Sequence, residues 1–234
     1  MQEKPKYVII PAGGNGSRMG GDIPKQMQEL DGIPVLARTV SLFLGLPFKV
    51  NVIISINRTI RDIWIDYCRK SDFLLKYVLV TGGMTRFHSV QKTMKFIPDG
   101  ALVAVHDAVR PLMPPDKIVD LFMAAEEYPA VVPVVRVSDS MRLLEETGSR
   151  VVDRDCFRLV QTPQVFHSEV LKKAYGAAFD PVFTDDASVV EKSGVPLHFC
   201  EGSRFNLKLT TPEDMLMASA ILKSRGMSDD GNDS

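Results

Sequence analysis

The chain has 234 residues, 45% of them hydrophobic, and its 28 basic and 29 acidic residues leave a formal net charge of −1; it can bury a sizeable core, and without a basic block it lacks the footprint of a nucleic-acid-binding protein. Cys68, Cys156 and Cys200 are odd in number and far apart, which fits neither a disulfide framework nor a paired-cysteine zinc site and points to a reducing cytoplasm. The N-terminal residues lead into a strand rather than a secretory apolar region, and no apolar run approaches the ~18 residues of a membrane span, so a soluble protein without a membrane partner is expected.

The first element is a short apolar strand, Tyr7-Val8-Ile9-Ile10, that breaks into Pro11-Ala12-Gly13-Gly14-Asn15-Gly16-Ser17-Arg18-Met19-Gly20 and then Pro24-Lys25-Gln26. A glycine-rich turn after a buried strand exposes backbone N–H groups to anionic oxygens, and Arg18 and Lys25 flank it with two cations. The segment lacks the Gly-Lys-Ser/Thr ending of a P-loop, and Pro24 and Asp31-Gly32 interrupt the helix that a dinucleotide fingerprint requires. It reads as a phosphate cradle or as an ordinary glycine turn with two solvated basic residues.

Strands are expected over 7–10, 50–56, 77–80, 102–106, 131–135 and 159–162, with amphipathic helices over 35–44, 60–70, 89–96, 117–127 and 170–179 between them. Near-continuous apolar strands alternating with helices imply an α/β fold with a mostly parallel sheet covered on both faces, and such sheets bind ligands beyond the carboxyl ends of their strands. The 13–20 turn, Gly82-Gly83 and Asp107 each follow a strand at that edge, so three loops converge on one crevice. In His106-Asp107-Ala108-Val109-Arg110-Pro111, Asp107 stands where a hard cation would meet phosphates, because Mg²⁺ takes one or two carboxylates plus phosphate oxygens. Taken alone, Asp107 reads first as a helix cap or a partner of Arg110, and His106 as a satisfied structural group.

Residues 136–153 break the rhythm with alternating and charged residues around Glu146-Thr147-Gly148-Ser149, the pattern of a β-hairpin, either an oligomerisation arm or a surface excursion. Thr211-Pro212-Glu213-Asp214 starts a final helix with Thr at the N-cap and Pro at the first helical position, through about Lys223. Residues 1–224 are expected as one domain and the small, polar, acidic 225–234 as a disordered tail.

The opening motifs do not stand alone. Together with Gly82-Gly83, Arg86 and Ser89, the 106–111 motif, Asp153-Arg154, Gln161-Thr162-Pro163-Gln164, Thr184-Asp185-Asp186-Ala187-Ser188, Asn206-Leu207-Lys208 and the 211–214 motif, they form an ordered set that resembles the 2-C-methyl-D-erythritol 4-phosphate cytidylyltransferases over about residues 7–222. The resemblance implies a Rossmann-like nucleotidyltransferase fold of the nucleotide-diphospho-sugar transferase type, a mostly parallel twisted sheet with helices on both faces and a projecting β-hairpin arm at 136–153 that makes a homodimer. It implies CTP and a phosphorylated polyol as substrates, Mg²⁺ as cofactor, and transfer of CMP with release of pyrophosphate in the non-mevalonate isoprenoid pathway.

Residue by residue, Arg18 and Lys25 match the family positions that stabilise the reacting α-phosphate, and Pro11, Ala12, Gly13, Gly14, Gly16, Gly83, Met84 and Ser89 match CTP-binding positions. Asp107 matches the metal carboxylate. Arg154 and Lys208 match the residues that orient the acceptor phosphate, the arginine coming from the partner subunit's arm. Ser140, Thr162 and Thr184 match hydroxyl positions near the acceptor, and Arg110 a position beside its phosphate or polyol.

Gly13, Ser140 and Val109 depart from the family's usual Ala, Thr and Ala, and Ala12-Gly13-Gly14 also resembles ribitol-5-phosphate cytidylyltransferases. The 184–188 segment and Asp139-Ser140 followed by Arg142 look more like the methylerythritol enzymes. Two other readings compete: an enzyme using another nucleoside triphosphate and a sugar 1-phosphate, and a nucleotide-binding regulator without catalysis. Arg18, Lys25, Asp107, Arg154 and Lys208 together speak against the regulator, since a binder has less need of transition-state cations.

Overall fold

The structure is a computed structural model that describes residues 3–14, 24–71, 73 and 76–229. Arg18 and Gly16 of the expected site lie outside the described residues. β1 (Lys6–Ala12) is followed by a 3-10 turn at Lys25–Met27, the paired short strands β2 (Glu29–Leu30) and β3 (Ile33–Pro34), and α1 (Val35–Leu44). Then come β4 (Val50–Ile56), α2 (Arg58–Lys70), β5 (Tyr77–Thr81), α3 (Arg86–Gln91), β6 (Leu102–Val105), α4 (Pro115–Ala124) and β7 (Ala130–Arg136). The second half supplies β8 (Met141–Glu145), β9 (Gly148–Val152), β10 (Arg158–Val160), β11 (Gln164–His167), α5 (Ser168–Tyr175), α6 (Asp186–Lys192), β12 (His198–Glu201) and α7 (Pro212–Asp229).

The main sheet runs β10-β7-β11-β6-β1-β4-β5, with β12 also on β7. β1 pairs in parallel with β4 and β6, β4 with β5, and β7 with β12, whereas β11 is antiparallel to β6 and β7 and β10 antiparallel to β7. The apolar runs that announced the strands have a direct cause. Val8 and Ile10 face a core with α1, α2 and α4, including Phe43, Trp64 and Phe122, while Ile9 faces the opposite core with Phe87, Leu171 and Tyr175 from α3 and α5. Period-2 alternation carries both faces of each central strand into apolar surroundings, and each fully buried Ile or Val contributes about 1.5–3 kcal/mol. A third, smaller core joins α7, through Ala218, to Leu30, Val35, Leu112 and Leu209.

The structure revises several boundaries. The strand expected over 159–162 stops at Val160; the ladder is interrupted at Pro163, which has no amide hydrogen, and the chain continues in the same direction along β7 as β11. α3 starts at Arg86 instead of 89, behind Thr85, whose Oγ1 accepts the His88 N–H at 3.3 Å. α6 was not expected at all: Asp185 and Ser188 form a capping box in which serine takes the place of the usual Glu or Gln. α7 continues past Lys223 to Asp229, so 225–229 are helical rather than part of a tail. There Arg225 donates to Leu112 O at 2.9 Å and lies over the Phe205 ring. Among the described residues no helix is long and apolar enough to cross a membrane.

Candidate active site

Two clefts open at the edge where the parallel strands end. The first, of about 210 Å³, is lined by Pro11 and Ala12 at the end of β1, by Gly13 and Gly14 after it, by Lys25, by Gly83, Met84 and Ser89 after β5, and by Asp107 and Lys208. The second, of about 420 Å³, is lined by Arg110, Thr162 and Thr184 among others, and shares Arg86, Asp107 and Lys208 with the first. Gly13-Gly14, Gly83 and Asp107, the described parts of the three loops expected to converge, therefore do meet, and Asp107 stands on the divide between two compartments.

Asp107 is surrounded by cations. Its Oδ1 lies 3.5 Å from Arg86 Nε, and its Oδ2 lies 3.2 Å from Arg110 Nε and 3.1 Å from Lys208 Nζ. Burial alone would raise its pKa, but the fields of Arg86, Lys208 and Arg110 outweigh that effect and hold the carboxyl well below the usual range. Arg86 is itself anchored from behind, donating from Nη2 to the fully buried Asp186 Oδ2 at 2.6 Å, while Tyr175 OH donates to the other oxygen at 2.5 Å. Burial opposes the charge on Arg86, and the two carboxylates more than restore it, so the guanidinium stays protonated.

A relay of neutral groups sets the Asp107 backbone. Asp107 N–H donates to Thr162 Oγ1 at 3.0 Å, the Thr162 hydroxyl donates to His106 Nδ1 at 3.1 Å, and His106 Nε2–H donates to Arg110 O at 2.9 Å. This assigns the Nε2–H tautomer. Burial pushes the His106 pKa down to about 4 against the opposing pull of the Arg110 carbonyl and Asp107, so the ring is neutral at physiological pH. His106 is thus the satisfied structural group its isolated position suggested. Thr162, expected to offer its hydroxyl to an acceptor, spends it inside this relay and is only 4% exposed.

The segment carrying Lys208 is stapled similarly. Gln161 Oε1 accepts from Ser203 N at 3.1 Å and Asn206 Nδ2 at 3.3 Å, Asn206 Nδ2 also donates to Thr162 O at 2.8 Å, and Arg110 Nη1 donates to Asn206 O at 2.7 Å. On the far wall, Ser89 Oγ accepts the Gly83 N–H at 3.0 Å and donates to Thr85 O at 2.9 Å, so it shapes the Gly83-Met84 loop from within. A Cβ on Gly83 would lie 2.3 Å from His88 Cβ, which makes glycine a steric requirement there. Met84, 98% exposed, lies at the mouth.

Ser140 and Arg154 are not brought to either cleft: both are exposed beside the arm, where Arg154 Nη1 donates to Ser138 O. Sequence reasoning assigned no role to Asp186, Arg86, Gln161 or Asn206, and a structural one to His106. The Asp185-Asp186 pair before an apolar run was a usable helix-start signal; the others depend on contacts across as many as 100 residues of chain, as in Arg86–Asp186.

A largely parallel α/β sheet with a glycine turn, an ionised carboxylate and converging cations at its carboxyl edge defines a Rossmann-like nucleotidyltransferase. Residues 7–224 match the sequence profile of the 2-C-methyl-D-erythritol 4-phosphate cytidylyltransferases. Proteins of that name from Bacteroides thetaiotaomicron and Bacteroides fragilis are 46% and 44% identical, over 92% and 93% of this chain and 98% and 99% of theirs. The crystal structure of the Francisella tularensis 2-C-methyl-D-erythritol 4-phosphate cytidylyltransferase superposes with a TM-score of 0.76 at 31% identity, covering 93% of this chain and 99% of that one. The chain belongs to the 2-C-methyl-D-erythritol 4-phosphate cytidylyltransferase family.

Proposed function

We propose that this protein transfers CMP from CTP to 2-C-methyl-D-erythritol 4-phosphate, giving 4-diphosphocytidyl-2-C-methyl-D-erythritol and pyrophosphate in the non-mevalonate isoprenoid pathway. The observation that carries the reading is the shared divide: Arg86, Asp107 and Lys208 border both clefts, so a donor in one and an acceptor in the other would meet at that line. An acceptor phosphate oxygen forms the new bond to the α-phosphorus as the bond to pyrophosphate breaks. No side-chain nucleophile is needed; the work is juxtaposing two polyanions and compensating charge in the transition state.

In this reading the cytidine triphosphate occupies the first cleft, with Pro11, Ala12, Gly13, Gly14, Gly83 and Met84 around it and Ser89 holding the loop that reads the base. Lys25 lines that cleft and, with Arg18, compensates the α-phosphate. Lys208, Arg110 and Thr184 take the acceptor in the second cleft. Thr162 contributes by fixing Asp107.

Asp107 is the residue that would hold Mg²⁺. Its carboxylate is ionised at any working pH, and among the described residues no cluster of three or more His, Cys, Asp or Glu offers an all-protein cage, which suits an ion bound chiefly through substrate phosphates. When bound, Mg²⁺ neutralises phosphate charge and orients the triphosphate.

Arg154 and Ser140 enter the site from a second copy of the chain. The arm that precedes Arg154 exposes apolar Leu144 and Val151, 80% and 70% accessible, on a two-stranded hairpin that, among the described residues, pairs only with itself. A homodimer covers them. Three unpaired cysteines accord with a reducing cytoplasm. The test is pyrophosphate release with CTP and Mg²⁺, comparing 2-C-methyl-D-erythritol 4-phosphate with ribitol 5-phosphate. Strong preference for the first is expected, and preference for ribitol 5-phosphate would overturn the acceptor assignment.

A further inference from the structure

Three successive carbonyls at the end of β1 are held by two carboxamide side chains. Gln26 Nε2 donates to Ala12 O at 2.7 Å and to Gly14 O at 3.1 Å, and Asn57 Nδ2 donates to Gly13 O at 3.1 Å. Gln26 is 2% exposed and lines the first cleft; its Oε1 is buried without a partner among the described residues, so the donors alone orient the amide. Asn57 has a second duty, capping α2 by accepting the Ile60 N–H at 2.8 Å.

Carbonyl oxygens carry partial negative charge, and a glycine turn is free to rotate them toward an arriving polyanion at an entropic and electrostatic cost. Oxygens already satisfied by amide donors stay where they are, so the turn is organised before the ligand arrives. Gln26 also follows Lys25 directly, so the same bonds tie the Lys25 backbone to the turn it faces across the cleft.

We propose that Gln26 and Asn57 are positioning residues for the nucleotide, a carboxamide clamp that holds the 12–14 turn in its binding shape without touching the ligand. The role rests on the donor-cleft assignment above. Gln26→Met keeps length and removes both donors. Asn57→Ser keeps a helix-capping oxygen, adds no charge and is too short to reach Gly13 O.

The test measures the CTP dissociation constant calorimetrically with Mg²⁺ and no acceptor, alongside steady-state KM for the acceptor and the thermal midpoint. Each variant is expected to bind CTP about 5- to 20-fold more weakly, with acceptor KM within about two-fold of wild type and Asn57→Ser melting within a few degrees of it. CTP affinity unchanged in both variants overturns the clamp, as does an equal loss toward both substrates. If Gln26→Met does not fold, Asn57→Ser decides alone. Titrating the unaltered protein with ATP, GTP and UTP separates the two questions: if another nucleotide binds and CTP does not, the nucleotide assignment fails, and the clamp is judged with the one that binds.

Discussion

Thr162 holds Asp107 by its backbone: the Asp107 N–H points at Thr162 Oγ1 from 3.0 Å, and the same hydroxyl donates a hydrogen bond to His106 Nδ1. A group that both accepts and donates in a buried place has no neutral apolar substitute. Thr162→Val should lower stability by about 1–3 kcal/mol and reduce kcat about ten-fold or more through displacement of Asp107, while Thr162→Ser stays near wild type. Denaturant unfolding and steady-state kinetics on the three proteins check this; a Val variant as active as wild type would show that Asp107 is fixed by other means.

His106 gives the fold an acid-sensitive point. Its folded-state pKa of about 4 lies below the ~6.5 of an unfolded histidine, so between those values the unfolded chain binds the extra proton and stability falls as pH drops. By pH 5 the loss attributable to this residue is on the order of 2 kcal/mol. Urea midpoints at pH 7 and pH 5 for wild type and His106→Gln should show the larger drop in wild type, and equal drops would assign the acid sensitivity elsewhere.

Lys25 and Arg154 should separate kinetically. Lys25→Ala is expected to reduce kcat with modest change in substrate affinity, and Arg154→Ala to raise the acceptor KM far more than that of CTP. Equal defects toward CTP and acceptor in both variants would count against the two roles.

The same two substitutions test whether the site is shared between subunits. In dimers co-expressed from Lys25→Ala and Arg154→Ala chains, half the pairs are mixed and each mixed pair holds one intact site, so about a quarter of wild-type turnover is expected. Turnover no higher than the mean of the two parents would mean that both residues act within one chain.

Gly83→Ala places a methyl group 2.3 Å from His88 Cβ, a distance that forces the loop to move. A loss of about 1–3 kcal/mol in stability and a rise in CTP KM with unchanged acceptor KM are expected, measurable by thermal melts and kinetics.

The sequence was most informative where one element decides its own structure. Val50–Ile56 and Val35–Leu44 have the boundaries read from periodicity alone, because both faces of the strand and one face of the helix are buried and composition reports burial directly. β11 and β12 are four residues each, with Gln, His, Cys and Glu among them, and only their neighbours make them strands. Of the site, Lys25, Asp107 and Lys208 were legible with their roles; Gln26, Gln161 and Asn206 were legible only as members of motifs, and Asn57 not at all. Gln26, Asn57, His106, Gln161 and Asn206 act through hydrogen bonds to backbone atoms as many as 44 positions away, and side-chain identity alone says nothing of which carbonyl a carboxamide will find.

β11 runs against β6, with Gln164 opposite Val105 and His167 opposite Leu102. That reversal delivers the approach to a late strand to the rim where earlier strands end, so Thr162 reaches Asp107 without a long connecting loop. Under the proposed function, donor recognition is thereby written into the first half of the gene and much of acceptor recognition into the second, and the two meet along a single line. On that reading, substitutions around 184–208 would retune which alcohol phosphate is accepted while the nucleotide half keeps its shape, a division of labour that one antiparallel strand makes available.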